Sequence, residues 1–193
     1  ALAESLHFNS VLVNFYAAST GMTSTGATVL ADVLKNNYTL QSLDIGNNKI
    51  GSEGALALAN SLENNYSLTN VNVERCNIGT DGCISIAQAL EINSTLEILS
   101  LRGNPVGEES LVELGKALKN NHWLTELDIS DIKISPPGIA ALRQALETNY
   151  TLRKILRNIR GKNYDSDLIK YLLLPEIKNF RASASRMKSA LKA

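Results

Sequence analysis

The sequence predicts an α/β solenoid: a horseshoe with parallel strands on a concave face, helices on a convex face and a helical cap at the C-terminal end. Three observations predict it. Apolar residues recur every 28 positions from Leu12 to Leu152. Each copy passes from period-two to helical spacing. The pattern dissolves after Thr151, where the charge of the chain also reverses. Internal periodicity outranks other readings, because a repeat unit cannot bury its apolar face alone and must stack on its neighbours.

Residues 40–67 are the most regular copy. Leu43 and Ile45 alternate as in a short strand with one buried face. Asn48 follows at the bend, where its amide can satisfy loop backbone that would otherwise be buried unpaired. Gly51 and Gly54 are read as giving the loop conformational freedom. Ala55, Leu58, Ala59 and Leu62 then share one helix face, and the small slot of Ala31, Ala59, Ala87 and Gly115 is read as letting helix and strand approach closely. Asn37, Asn65, Asn93, Asn121 and Asn149 stand just past each helix, where Asn tolerates the left-handed conformation that stops one.

In chain order, residues 1–11 read as the end of an upstream repeat: Leu6 and Asn9 precede Leu34 and Asn37 by one period. That suggests a section of a longer protein, or upstream residues covering an open end. Residues 12–151 hold five repeats. The first is loose, with Thr20 in the slot of Asn48; the third has Cys76 there. The fourth carries a tight bend at Arg102-Gly-Asn-Pro. The fifth has Ile132 in the Asn slot and opens its helix with Pro136-Pro137, compatible with a first turn. Residues 152–165 form a degenerate sixth repeat. Residues 166–193 form a basic helical cap in which Ile177, Phe180, Ala184, Met187 and Leu191 fall at helical spacing.

The motif LxxLxIxxN-x-IGxxGxxxLAxxL, read from Leu40 to Leu62 and again from Leu96 to Leu118, resembles the leucine-rich repeat family in its ribonuclease-inhibitor-like subtype. The resemblance covers roughly residues 1–160. It implies strands inside the horseshoe and helices outside. Packing agrees: strands pair about 4.8 Å apart and helices about 8–10 Å, so the stack curves toward its strands.

Composition narrows the function classes. No apolar run approaches the roughly 20 residues of a membrane span, and residues 1–11 lack a signal peptide's basic start and apolar core. Cys76 and Cys83 make neither a disulfide framework nor a metal site and are read as reduced, structural thiols of a cytoplasmic chain. Asn37, Asn65, Asn93 and Asn149 begin glycosylation acceptor triplets, but the repeat itself places Asn and Ser/Thr in these columns. The net charge of zero is a cancellation: residues 1–151 carry 8 Lys/Arg against 16 Asp/Glu, and residues 152–193 carry 11 against 3.

Catalytic motifs are absent from the sequence. His7 and His122 occupy unrelated slots, and there is no phosphate-binding GxxxxGK[ST], GxSxG, HExxH or CxxC. The reading is a non-enzymatic scaffold or adaptor with no cofactor, no metal and no small-molecule substrate, part of a larger protein or assembly and partnered by another protein. Strand residues that point away from the core form its default binding face. Asp44, Glu74, Glu126, Asp128 and Asp131 would make that face acidic, with Arg75 and Arg102 as anchors and Tyr16 as its one well-placed aromatic; an ordinary solvated sheet is the alternative. Trp123 replaces the usual Ser/Thr on a ridge with Tyr38, Tyr66, His122 and Tyr150, either as a partner anchor or packed on a neighbouring loop. The basic positions Lys178, Arg181, Arg186, Lys188 and Lys192 face water in a plain cap, or dock on an acidic surface such as tubulin or actin. Three rival settings use the same repeat: a cytoskeletal or ciliary complex component, the sensor region of a nucleotide-binding innate-immune receptor, and a small-GTPase activator.

Overall fold

The computed structural model describes residues 2–7, 9–156, 158–159 and 162–163. A short helix α1 (Leu2–His7) precedes a strict alternation: β1 (Asn14–Tyr16), α2 (Ser24–Leu34), β2 (Ser42–Asp44), α3 (Gly51–Leu62), β3 (Asn70–Asn72), α4 (Thr80–Ile92), β4 (Ile98–Ser100), α5 (Glu108–Asn120), β5 (Glu126–Asp128), α6 (Pro136–Leu146) and β6 (Lys154–Leu156). The six strands form one parallel sheet in sequential order. Their register is the sequence period: Phe15 faces Leu43, Leu43 faces Val71, Val71 faces Leu99, and so on to Ile155. Each helix from α2 to α5 packs on the next, in a layer behind the sheet.

The core lies between these layers. Leu40, Leu43, Ile45, Ile50 and Leu58 are buried, as are their counterparts in the next two repeats. Each such side chain contributes roughly 1.5–3 kcal/mol relative to exposure, and stability accumulates by neighbouring pairs of repeats. In the first repeat Leu12, Phe15 and Met22 are only partly buried, because β1 is the edge of the sheet. At the other end Leu152 and Ile155 remain buried and β6 keeps register with β5. There a two-residue antiparallel pair, β7 (Asn158–Ile159) and β8 (Lys162–Asn163), follows the strand directly. The cap expected over residues 166–193 lies outside the described residues.

Three local expectations are corrected. The Asn column after the helices is not left-handed: Asn93 and Asn121 sit at φ −64° and −79° with extended ψ. These side chains are buried staples instead. Asn65 Nδ2 donates to Leu34 O (2.8 Å) and Asn37 O (3.1 Å), and its Oδ1 accepts from Ser67 N (3.0 Å) and Leu68 N (2.8 Å). Asn37, Asn93, Asn121 and Asn149 repeat the pattern, always reaching back 31 and 28 residues. Helix C-terminal carbonyls lack intrahelical donors; the next repeat's Asn supplies one.

The left-handed positions lie elsewhere. Ser19, Asn47, Arg75, Gly103 and Asp131 all have φ between 48° and 65°, one column in the loop that leaves each strand. Gly54 needs no unusual backbone: it sits inside α3, where a Cβ would come within 2.9 Å of Ala27 Cβ on α2. Likewise the small slot at Gly115 serves helix against helix. A Cβ there would lie 2.7 Å from the Ala141 carbonyl carbon of α6.

Candidate functional site

The loop after each strand is held by the second Asn column. Asn48 Nδ2 donates to Ala17 O and Ile45 O, and its Oδ1 accepts from Thr20 N and Met22 N. Asn104 does the same two repeats on, for Val73, Leu101, Cys76 and Ile78. Cys76 fills the intervening slot and donates its thiol to Ile45 O at 3.1 Å. These bonds tie the strand ends and loops of the first four repeats to one another, and strand ends and loops carry most of the sequence-identified residues among the described ones.

On the solvent face of the strands, Tyr16, Asp44, Glu74 and Asp128 line an open depression of about 310 Å³ with Asn70, Asn72, Ile98 and Ser100. The carboxylates are oriented by donors. Asp44 Oδ1 accepts from Gly46 N (2.9 Å), Asp128 Oδ1 from Ser130 N (2.8 Å), and Glu74 Oε1 from Asn47 Nδ2 (3.0 Å). Asp44 and Asp128 therefore form the turns that end β2 and β5 as well as charging the face. Ser100 occupies the same strand position, and its Oγ is buried without a hydrogen-bond partner.

The other residues of the inner face separate from this group. Glu126 pairs with Lys154 at 3.1 Å. Asp131 joins the arginines instead of the acidic face: its Oδ2 accepts from Arg102 Nε at 3.0 Å and Arg75 Nη2 at 3.4 Å. The hydrogen bond to Asp131 raises the Arg102 pKa above its ordinary value. Sequence reasoning placed Arg75, Arg102 and Asp131 on one rim without seeing that they meet. The missed signal is Gly103, whose added Cβ would lie 2.8 Å from Arg75 Cγ; the arginine crosses its backbone to reach Asp131.

Trp123 lies apart, on the ridge before β5, and is 56% exposed. Its backbone N–H bonds Asn121 Oδ1 as Ser67 N bonds Asn65, but an indole cannot make the hydroxyl stitch of Ser67 Oγ to Asn37 O. Tyr38, Tyr66 and Tyr150 are exposed along the same ridge. Lys178, Arg181, Arg186, Lys188 and Lys192 lie outside the described residues.

Burial pushes the Cys76 and Cys83 thiols up to about 11, away from the reactive range. Among the described residues no group of three His, Cys, Asp or Glu side chains is placed to hold a metal ion. No described helix is long and apolar enough to cross a membrane.

Comparison with known proteins agrees with this architecture. No curated protein matches in sequence. Among solved structures, leiomodin-1 actin-binding site 2 superposes with a TM-score of 0.64 at 18% identity, covering 96% of this chain and 95% of that one. The tropomodulin C-terminal domain of Caenorhabditis elegans gives a TM-score of 0.63 at 16% identity, over 78% of this chain and 94% of that one. The family model described as Leucine Rich repeat matches four times in tandem, at residues 36–59, 64–87, 93–115 and 120–142, each match covering a strand, the loop after it and the first part of the next helix. With six in-register parallel strands alternating with helices, the chain belongs to the leucine-rich repeat family.

Proposed function

We propose that this leucine-rich repeat chain is a non-enzymatic scaffold that binds a cytoskeletal protein, with actin as the first partner to test. The observation that carries the reading is the preorganised inner rim. Its carboxylates are held by backbone and amide donors, and Arg102 by the Asp131 carboxylate that accepts from its Nε, before any partner arrives, which lowers the ordering cost of association. Rigid display needs no catalytic group. The likeness in fold to leiomodin-1 actin-binding site 2 over most of both chains supports actin as the partner. The basic positions from Lys178 to Lys192 would add electrostatic attraction to an acidic surface, in a cytoplasmic, cytoskeleton-associated setting.

The test is cosedimentation of the full chain with actin filaments, alongside binding to monomeric actin and to microtubules. Saturable actin binding, weakened by Trp123→Ala or by neutralising Lys178, Arg181, Arg186, Lys188 and Lys192 together, is the expected result. Binding to neither form of actin would remove actin. Binding to microtubules alone would keep the cytoskeletal setting and change the partner.

A further inference from the structure

We infer that Arg75 and Arg102, gathered by Asp131, form a receptor for a carboxylate side chain on an acidic segment of the partner protein. The inference rests on the scaffold reading above and names the chemistry recognised at one part of its rim.

Two guanidiniums from successive repeats converge on a single oxygen, Asp131 Oδ2. Two positive charges against one negative leave the trio net positive. Arg102 spends only Nε and Arg75 only one Nη2 bond; the rest of each fork makes no other hydrogen bond among the described residues. A planar fork with free parallel donors fits a carboxylate in bidentate geometry.

The needs of the fold do not account for Arg75. Its φ is 48°, in the column otherwise filled by Ser19, Asn47, Gly103 and Asp131. Short polar residues or glycine suit that conformation better than a long side chain. Its pair with Asp131 is 3.4 Å long and half exposed, the kind that contributes little to stability. Yet the surroundings accommodate the arginine: glycine at 103 leaves room for its stem. The side chain is thus positioned at some cost to the backbone, with most of its donors left open.

The neighbouring carboxylates select the ligand. Glu74 leans back one repeat to Asn47, and Asp128 turns to the Ser130 amide, so neither bonds the arginines. Their charges still reach Arg102. That field disfavours a doubly charged phosphate more than a singly charged carboxylate.

The test follows the arginine Nε–Hε signals of the full chain by NMR during titration with a capped Gly-Glu-Gly peptide, which carries one carboxylate, with hexalysine and inorganic phosphate as parallel arms at equal ionic strength. Saturable shifts at Arg75 and Arg102 with the glutamate peptide are expected. Arg75→Asn and Arg102→Gln should each weaken binding by about fivefold or more, while Lys119→Gln on the outer helix layer leaves it unchanged. The melting temperature of Arg75→Asn should stay level or rise by about 1–3 °C. The inference is overturned by no saturable shift, by phosphate or hexalysine acting more strongly, by equal loss in Lys119→Gln, or by a lowered melting temperature in Arg75→Asn. Peptide binding without actin binding leaves this receptor standing and removes actin. Actin binding that survives both arginine variants, with no peptide response, does the reverse.

Discussion

Replacing Asn65 by alanine should be among the most damaging single changes on this chain, although the residue touches no candidate binding surface. Asn65 is 1% exposed and joins two repeats through four hydrogen bonds to backbone. The truncation leaves Leu34 O and Leu68 N buried without these partners, and the part-buried Ser67 N loses its Asn65 acceptor too. Asn37 O keeps the Ser67 hydroxyl, at 3.2 Å. Two orphaned, fully buried groups at roughly 1–3 kcal/mol each give a loss of about 2–6 kcal/mol. Domains of ordinary stability hold about 5–15 kcal/mol in total. At roughly 2–4 °C per kcal/mol for a chain of this length, the loss corresponds to a fall of about 4–24 °C in melting temperature. Urea unfolding followed by circular dichroism measures it directly. Asn65→Asp should be as harmful at neutral pH, because it keeps an acceptor but turns a second oxygen toward the Leu34 and Asn37 carbonyls. The exposed neighbour Asn64 is the control, and its alanine variant should stay within about 0.5 kcal/mol of the parent. A cost below about 1 kcal/mol for Asn65→Ala, or a harmless Asn65→Asp, would refute the staple.

The same column makes a chemical prediction: Asn37, Asn65, Asn93 and Asn149 should resist an oligosaccharyltransferase in the folded chain and accept glycans only after unfolding, because their amides are buried and bonded; peptide mapping decides it. Gly115→Ala should lower the melting temperature, since a Cβ 2.7 Å from the Ala141 carbonyl carbon costs about 1–3 kcal/mol of overpacking against up to about 1 kcal/mol of helix propensity gained. The two thiols make stability depend on pH at the alkaline end. Burial raises both from 9.0 to about 11, so the folded chain keeps protons that the unfolded chain releases. Their contribution is whole below pH 9.0 and is lost as pH rises to about 11. Urea midpoints measured across that window should fall less steeply in the Cys76→Ala, Cys83→Ala double variant.

The surface column behind the receptor was the least legible part of the sequence. Ser19, Asn47, Arg75, Gly103 and Asp131 share a left-handed backbone but no side-chain type, so the period that reveals every leucine passes over them. Asp131 could be listed among acidic residues, yet its partners stand 29 and 56 positions away. Only stacked repeats bring such residues together. The Asn column after the helices was visible as a column and misread in its role, because its acceptors lie 31 and 28 residues back on the neighbouring unit.

The sequence by itself determined the repeat, the strand positions, their register and the core. These depend on which side chains alternate or recur along one short segment, and a 28-residue period repeats that local information five times over. Tertiary structure alone decided which charges are shared, which carboxylates a turn has already taken, and which glycines make room for a neighbour. Those outcomes depend on distances between units. Stacking sets the distances, and no single unit contains them.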